Sequence, residues 1–373
     1  MSDIQPSDTT KSPRGGALDT RICTLFGIRY PIIQTGMGWV AGPRLCAATS
    51  NAGGLGILAS ATMTLPQLRA AVAEVKSRTS SPFGVNLRTD QADIVERVQL
   101  LIAERVKVAS FAQAPSKDLI ARLKDGGVLT MPTVGQKRHA EKVAGWGVDA
   151  VIAQGHEGGG HTGPIPTTLL LPSVVDAVGI PVLGAGGFCD GRGLVAALAF
   201  GASGIAMGTR FLLTRESTVP DAIKKLYLAT ELTGTVVTKS IDGVPQRVIV
   251  TDFIGSLERA GTFSRMWRAL SHAFHFRKLT GESFLALVRE GWAMRKSSGL
   301  TFGQTAMAAA APMLTKAALV DGKPEVGILP TGQNVGLIDE LPPVAELIAR
   351  IIDEAEGVLR ALTVRAEAPR VAS

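Results

Sequence analysis

The stretch AQGHEGGGHTG at 153–163 sets two imidazoles, His156 and His161, and the carboxylate of Glu157 around three consecutive glycines. These are acid–base and metal-ligating side chains, so their spacing decides which chemistry is open to them. A zinc-binding HExxH holds its histidines four apart on one helix face. Here they are five apart, and Gly158, Gly159 and Gly160 disfavour a helix between them, so no metal is expected. A neutral imidazole on a loop can instead exchange a proton near neutral pH. His161, which closes the loop, suits that role better than His156, which precedes the glycines. The plainer alternative is a turn histidine bonded to backbone.

Two glycine clusters suggest a second chemistry. GAGGFCDG at 184–191 and MGTRF at 207–211 supply Gly186, Gly187, Gly208 and the hydroxyl-bearing Thr209. A phosphate needs several backbone N–H groups converging on it without side chains in the way, and a helix expected from residue 191 would stand behind the first loop. The pattern is not GxGxxG, because Cys189 stands where the third glycine would be, and it comes too late in the chain to open a Rossmann domain. Gly36, Met37 and Gly38, with the amides Asn86 and Gln154, complete the candidates. Together they predict a phosphate-bearing cofactor whose ring edge the two amides bond. Ordinary turn glycines are the alternative.

All these residues follow short apolar runs, which are the elements that must position them. Strands are expected at 31–35, 54–58, 83–87, 106–110, 128–132, 150–153, 181–184 and 204–207, and helix-period segments at 65–78, 91–104, 116–125, 137–146 and 191–200. Strands that are apolar throughout fit a parallel sheet covered on both faces. Eight βα units predict the α/β class and a closed (β/α)8 TIM barrel, in preference to a doubly wound sheet, with the candidate residues at the C-terminal ends of the strands. After residue 210 the rhythm changes to the mixed stretch TGTVVTKSIDGVPQRVIV, helix-like segments over about 256–313, and a helix at 344–362 returning to the barrel wall. The expected organisation is a disordered tail (1–20), a cofactor-binding barrel (21–220), a mainly helical substrate-side region (221–340), and a C-terminal helix and tail (341–373).

With 373 residues, 46% of them hydrophobic, the chain can bury a large core, and 42 glycines fit many tight strand-to-helix turns. Cys23, Cys46 and Cys189 are an odd set without CxxC spacing, which argues against a disulfide framework or structural zinc and for a reducing, cytoplasmic setting. No signal-like or membrane-spanning apolar run is present. Of the net +7, a surplus of six lies in 259–296, where Arg265, Arg268, Arg277 and Lys278 are among eight basic residues set against Glu282 and Glu290. A solvated helical face is the plain reading of that charge. Nucleic-acid binding is not expected, since no aromatic platform accompanies it.

Several long pieces in one order, YPIIQTGMGWVAG, NAGGLGILAS, PFGVNL, VDAVIAQGHEGGGHTG, PVLGAGGFCDGRGLVAALAFGA and MGTRFLLTRES, resemble the nitronate monooxygenase (2-nitropropane dioxygenase) family of FMN-dependent TIM-barrel oxidoreductases. The resemblance runs strongly over about 22–220 and more weakly to about 360. It implies FMN across the barrel mouth: the backbone at Gly36, Met37 and Gly38 and the Asn86 side chain near the isoalloxazine and ribityl chain, Gln154 on the ring edge with Gly159 beside it, and Gly186, Gly187, Gly208 and Thr209 on the phosphate. His161 matches the family's active-site histidine.

The family's nitronate oxidisers line their pocket with tyrosines, whereas this chain has only Tyr30 and Tyr227. The stretch LTFGQTAMAAAAPMLTKAALVDGKPEVGILPTGQNVGLIDELP resembles the branch of the acyl-CoA dehydrogenase of steroid C/D-ring degradation more than the other branches. Beside FMN, the basic segment would then dock the phosphates of a coenzyme A thioester, a task suited to arginine forks. The resulting expectation is dehydrogenation, or reduction, next to a thioester carbonyl, with His161 as acid or base. The rivals are nitronate monooxygenation and NAD(P)H:quinone reduction. NAD(P)H or NAD is expected as a second redox partner, and a homodimer is compatible with the reading.

Overall fold

The structure, a computed structural model, describes residues 16–112, 114–259 and 302–367. Eight parallel strands, β1 (Ile32–Gln34), β2 (Leu55–Ala59), β3 (Phe83–Leu87), β4 (Val108–Phe111), β5 (Leu129–Val134), β6 (Val151–Gln154), β8 (Val182–Ala185) and β9 (Gly204–Met207), close into a barrel in that order. Ile32, Ile33 and Gln34 of β1 pair in register with Ile205, Ala206 and Met207 of β9. Each strand coincides with an expected run to within two residues at either end, because a strand buried on both faces carries an unbroken apolar signal.

Helices α2 (Pro43–Asn51), α3 (Leu65–Arg78), α4 (Ile94–Ala103), α5 (Lys117–Asp125), α6 (Lys137–Gly145), α7 (Thr167–Val175) and α8 (Gly191–Ala199) follow successive barrel strands on the outside. Their starts are written locally. Thr64 and Gln67 form a reciprocal capping box on α3, Ser116 accepts from the Leu119 amide on α5, and Asp190 accepts from the Gly193 amide on α8. Helix α1 (Arg21–Phe26) closes the N-terminal end of the barrel, where Ile22 and Phe26 join Ile33, Ile57, Met131 and Leu183 in one buried cluster. Leu18 is buried and the Thr20 hydroxyl donates to the Ser203 carbonyl at 2.5 Å, so packing begins before residue 21.

Beyond the barrel come α9 (Thr209–Leu212), α10 (Asp221–Leu228), β10 (Thr235–Thr238), β11 (Gln246–Ile249), α11 (Asp252–Arg259), α12 (Phe302–Leu319) and α13 (Val344–Glu367). The mixed stretch after residue 231 is thus an antiparallel hairpin, and β11 also pairs with the two-residue strand β7 (Gly160–His161), giving a small sheet in the order β10-β11-β7. Helix α13 packs on α8 and α2. Gly191 allows that approach: a Cβ there would lie 2.4 Å from the Ala355 nitrogen and 2.5 Å from the Ile351 carbonyl oxygen. Among the described residues no helix is long and apolar enough to cross a membrane. Arg265, Arg268, Arg277 and Lys278 lie outside the described residues.

Candidate active site

A cavity of about 830 Å³ opens at the C-terminal end of the barrel strands, within the range of roughly 300–1,000 Å³ common for cofactor and substrate sites. Gly36, Met37, Gly38, Asn86, Gln154, Gly159, His161, Gly186, Gly187, Gly208 and Thr209 all line it. Barrel topology brings them together, since each sits where its strand hands over to the next loop.

The β8 and β9 ends form an amide-rich corner. Gly186 and Gly187 have φ of +94° and +86°, left-handed values that glycine adopts without strain. Among the described residues the amides of Gly186, Gly187, Gly208 and Thr209 donate to no carbonyl or side chain, so they remain available to an anion. The Thr209 hydroxyl accepts the Gly332 N–H at 2.8 Å and keeps its own proton to donate. Helix α8 begins at Gly191, as the sequence suggested, but neither Gly191 nor Gly193 offers its amide to this corner. Its first amides are already taken, Gly191 by the Glu354 carboxylate at 2.8 Å and Gly193 by Asp190 at 2.8 Å. Cys189 lies outside the cavity, and burial pushes its thiol up to about 11, so it is neutral at ordinary pH.

Across the mouth, the Asn86 amide donates to the Ser110 hydroxyl at 3.0 Å, leaving Oδ1 without a donor among the described residues. Gln154 donates Nε2–H to the His161 carbonyl at 2.7 Å, so it secures the loop as well as lining the cavity, and its Oε1 takes no donor among the described residues. The close approach at Gly159 is compulsory: a Cβ there would fall 2.5 Å from the Gly332 nitrogen.

The two histidines part company. His156 sits off the cavity, its Nδ1 bonded to the Gly163 carbonyl at 2.8 Å, and the Glu157 carboxylate accepts from the Thr167 amide and hydroxyl at 2.9 and 2.6 Å, capping α7. His161 faces the cavity with its side chain 61% exposed. Its backbone is held in β7 against Gln246 of β11, and its Nε2 meets Asp242 Oδ2 at 2.7 Å. Asp242 lies in the β10–β11 turn, where its Oδ1 accepts from the Val244 amide at 3.0 Å. Burial works against its charge, but the His161 ring, the Val244 N–H and the Gln246 amide hold its carboxyl below the usual range. Buried Arg247 adds a second tie, donating to the His156 carbonyl at 3.1 Å and to the Thr235 hydroxyl at 2.9 Å.

The outer wall comes from residues to which the sequence reading gave no role. Trp39, with φ of +65°, donates Nε1–H to the Pro312 carbonyl of α12 at 3.1 Å, and Pro312, Thr315 and Leu319 line the cavity beside it. Gly332 and Asn334 approach from the stretch before α13, with Asn334 Nδ2 donating to the Phe188 carbonyl at 2.9 Å. A hairpin was readable from the D-G turn at 242–243 between β-rich runs. No local signal says that it lands on His161. Neither tyrosine lines the cavity: Tyr227 is fully buried with its hydroxyl donating to the Pro330 carbonyl, and Tyr30 carries the Arg29 guanidinium on its ring.

The nitronate monooxygenase family model matches residues 19–98 and 92–354. A protein of Rhodococcus jostii, named (3aS,4S,5R,7aS)-5-hydroxy-7a-methyl-1-oxo-octahydro-1H-indene-4-carboxyl-CoA dehydrogenase, is 56% identical over 91% of this chain and 96% of its own. A Mycobacterium tuberculosis protein of the same name is 56% identical over the same shares. Among solved structures, FabK from Thermotoga maritima superposes with a TM-score of 0.78 at 34% identity, covering 93% of this chain and 99% of its own. Nitroalkane oxidase from Streptomyces ansochromogenes gives 0.72 at 27% identity, covering 91% and 99%. With that match across the barrel and its return helix, and with the glycine corner and His161 at one mouth, the chain is an oxidoreductase of the nitronate monooxygenase family.

Proposed function

We propose that the protein is an FMN-dependent oxidoreductase that dehydrogenates, or in reverse reduces, a coenzyme A thioester of the steroid-ring-derived kind. The observation that carries this reading is 56% identity, over nearly the full length of both chains, to two proteins whose name states that activity. The site fits the cofactor. Four amides without a partner among the described residues and the Thr209 hydroxyl offer neutral donors for a terminal phosphate, and the Oδ1 of Asn86 and Oε1 of Gln154, which take no donor among those residues, offer acceptors for the N–H edge of a planar ring. A side chain at Gly159 would collide with the backbone at Gly332.

FMN, when bound, supplies the two-electron acceptor or donor for the substrate's β-carbon. The chain's own residues do the rest. The glycine corner fixes the phosphate, Asn86 and Gln154 orient the ring, and α12 with Trp39 walls the mouth against water. The thioester carbonyl acidifies its α-carbon, and His161 removes that proton in dehydrogenation or returns it in reduction. Arg265, Arg268, Arg277 and Lys278 remain candidates for the coenzyme A phosphates on charge alone. Three buried free thiols, Cys23, Cys46 and Cys189, support action in a reducing cytoplasm.

The test is an anaerobic flavin-reduction screen with steroid-ring acyl-CoA thioesters, alkyl nitronates, NADH and NADPH. Bleaching by an acyl-CoA supports the proposal. Bleaching by nitronates alone assigns nitronate oxidation instead, and rapid bleaching by NADH or NADPH without acyl-CoA turnover assigns quinone reduction. Purified protein that is colourless and cannot be reconstituted with FMN overturns every flavin reading.

A further inference from the structure

The hairpin turn carries an acid that the family reading does not use. Asp242 sits 81 residues beyond His161, is 11% exposed, and reaches the imidazole Nε2 at 2.7 Å. Its other oxygen is committed to the Val244 amide, so the carboxylate is locked in orientation from the opposite side. An ionised carboxylate only accepts hydrogen bonds. Because Asp242 is held in that form, the hydrogen in this contact belongs to His161 Nε2.

The other ring nitrogen, Nδ1, has no hydrogen-bond partner among the described residues, while the His161 side chain lines the cavity and is 61% exposed. One nitrogen of a neutral imidazole donates and the other accepts, and the bond made by one decides the state of the other. We propose that Asp242 is a positioning residue: it fixes the Nε2–H tautomer of His161, so that the Nδ1 lone pair is the base presented to the substrate. The inference rests on the proposed role of His161 as acid or base. In the dehydrogenation direction the α-carbon–hydrogen bond breaks, the proton passes to Nδ1, and the electron pair stays on the substrate under the thioester carbonyl. The imidazolium so formed keeps its Nε2–H on the Asp242 carboxylate, which opposes the new charge without taking the proton.

The geometry makes Asp242→Asn a sharper probe than truncation. An asparagine that keeps its oxygen on the Val244 amide turns its NH2 toward Nε2, and two donors then face each other unless His161 moves its own proton to Nδ1. The variant is nearly isosteric and reverses the tautomer. Asp242→Glu retains an acceptor-only group and serves as the conservative rescue.

The experiment is ¹⁵N-histidine NMR of the full chain, flavin-free and flavin-loaded, alongside steady-state kinetics of the wild type, Asp242→Asn, Asp242→Glu, His161→Ala and the double variant. The expected spectrum shows an Nε2-protonated His161 in the wild type and an Nδ1-protonated one in Asp242→Asn. The kcat of Asp242→Asn falls about 10- to 1,000-fold with KM within about threefold, and Asp242→Glu recovers part of the loss. The double variant is no slower than His161→Ala alone. An Nδ1–H tautomer in the wild type, or Asp242→Asn with an unchanged tautomer and rate while His161→Ala is slow, overturns the inference and leaves the role of His161 standing. Full activity in His161→Ala instead removes the reading on which it rests, and the NMR result still reports on the pair.

Discussion

Three bonds from three parts of the chain hold His161: its carbonyl takes the Gln154 amide, its backbone pairs with Gln246, and its ring meets Asp242. The backbone is fixed while the ring stays open to the cavity, as a group that must meet substrate repeatedly requires. His161→Ala leaves the Gln154 and Gln246 contacts in place, so the variant is expected to purify with the same flavin spectrum. Its turnover is expected to fall by about 10²–10⁴-fold, measured under single-turnover conditions to separate chemistry from binding. Much of this was legible in the sequence, because glycine blocks and a histidine after an apolar run announce a loop with a purpose. Asp242 and Trp39 were not. Each acts on a residue far away in sequence, and a distant partner leaves no periodicity or spacing to read.

At the scale of elements, the barrel was legible to within a couple of residues per strand because burial on both faces writes an unbroken apolar run. The accessory sheet was legible only in the D-G turn between its β-rich runs, since its third strand, β7, is two residues inside a glycine loop and its pairing with β11 leaves no local signal. That sheet nonetheless fixes the loop after β6, and Arg247 is its second fastening. Arg247→Met keeps the length of the side chain but removes the donors to the His156 carbonyl and the Thr235 hydroxyl. The expected cost is about 1–3 kcal/mol of stability, read from the urea midpoint, together with a several-fold drop in kcat as His161 loses its fixed backbone. An unchanged midpoint would mean that pairing of β7 with β11 holds the loop without the arginine.

For the whole molecule, α13 ties the chain's end to its start by packing across α8 and α2, where Gly191 sits under the Ala355 backbone. Intrinsic helix propensity favours Gly191→Ala by up to about 1 kcal/mol. The clash goes the other way, because a Cβ 2.4 Å from one backbone atom and 2.5 Å from another must push two helices apart, at about 1–3 kcal/mol. The net expectation is a lower thermal midpoint and faster amide exchange in α13, with flavin affinity little changed, since Gly191 and α13 lie off the cavity. A stabilised variant would show that α13 yields more readily than its packing suggests.

The pairing of β7 with β11 also sets an order of assembly. All eight barrel strands lie N-terminal to residue 208, and they can begin to pair as they emerge during synthesis. Asp242 and Gln246 come later in the chain, so the loop that carries His161 can be fastened only after the last barrel strand is made. Biosynthesis thus delivers the vessel and its histidine before the hairpin that fastens that histidine in place.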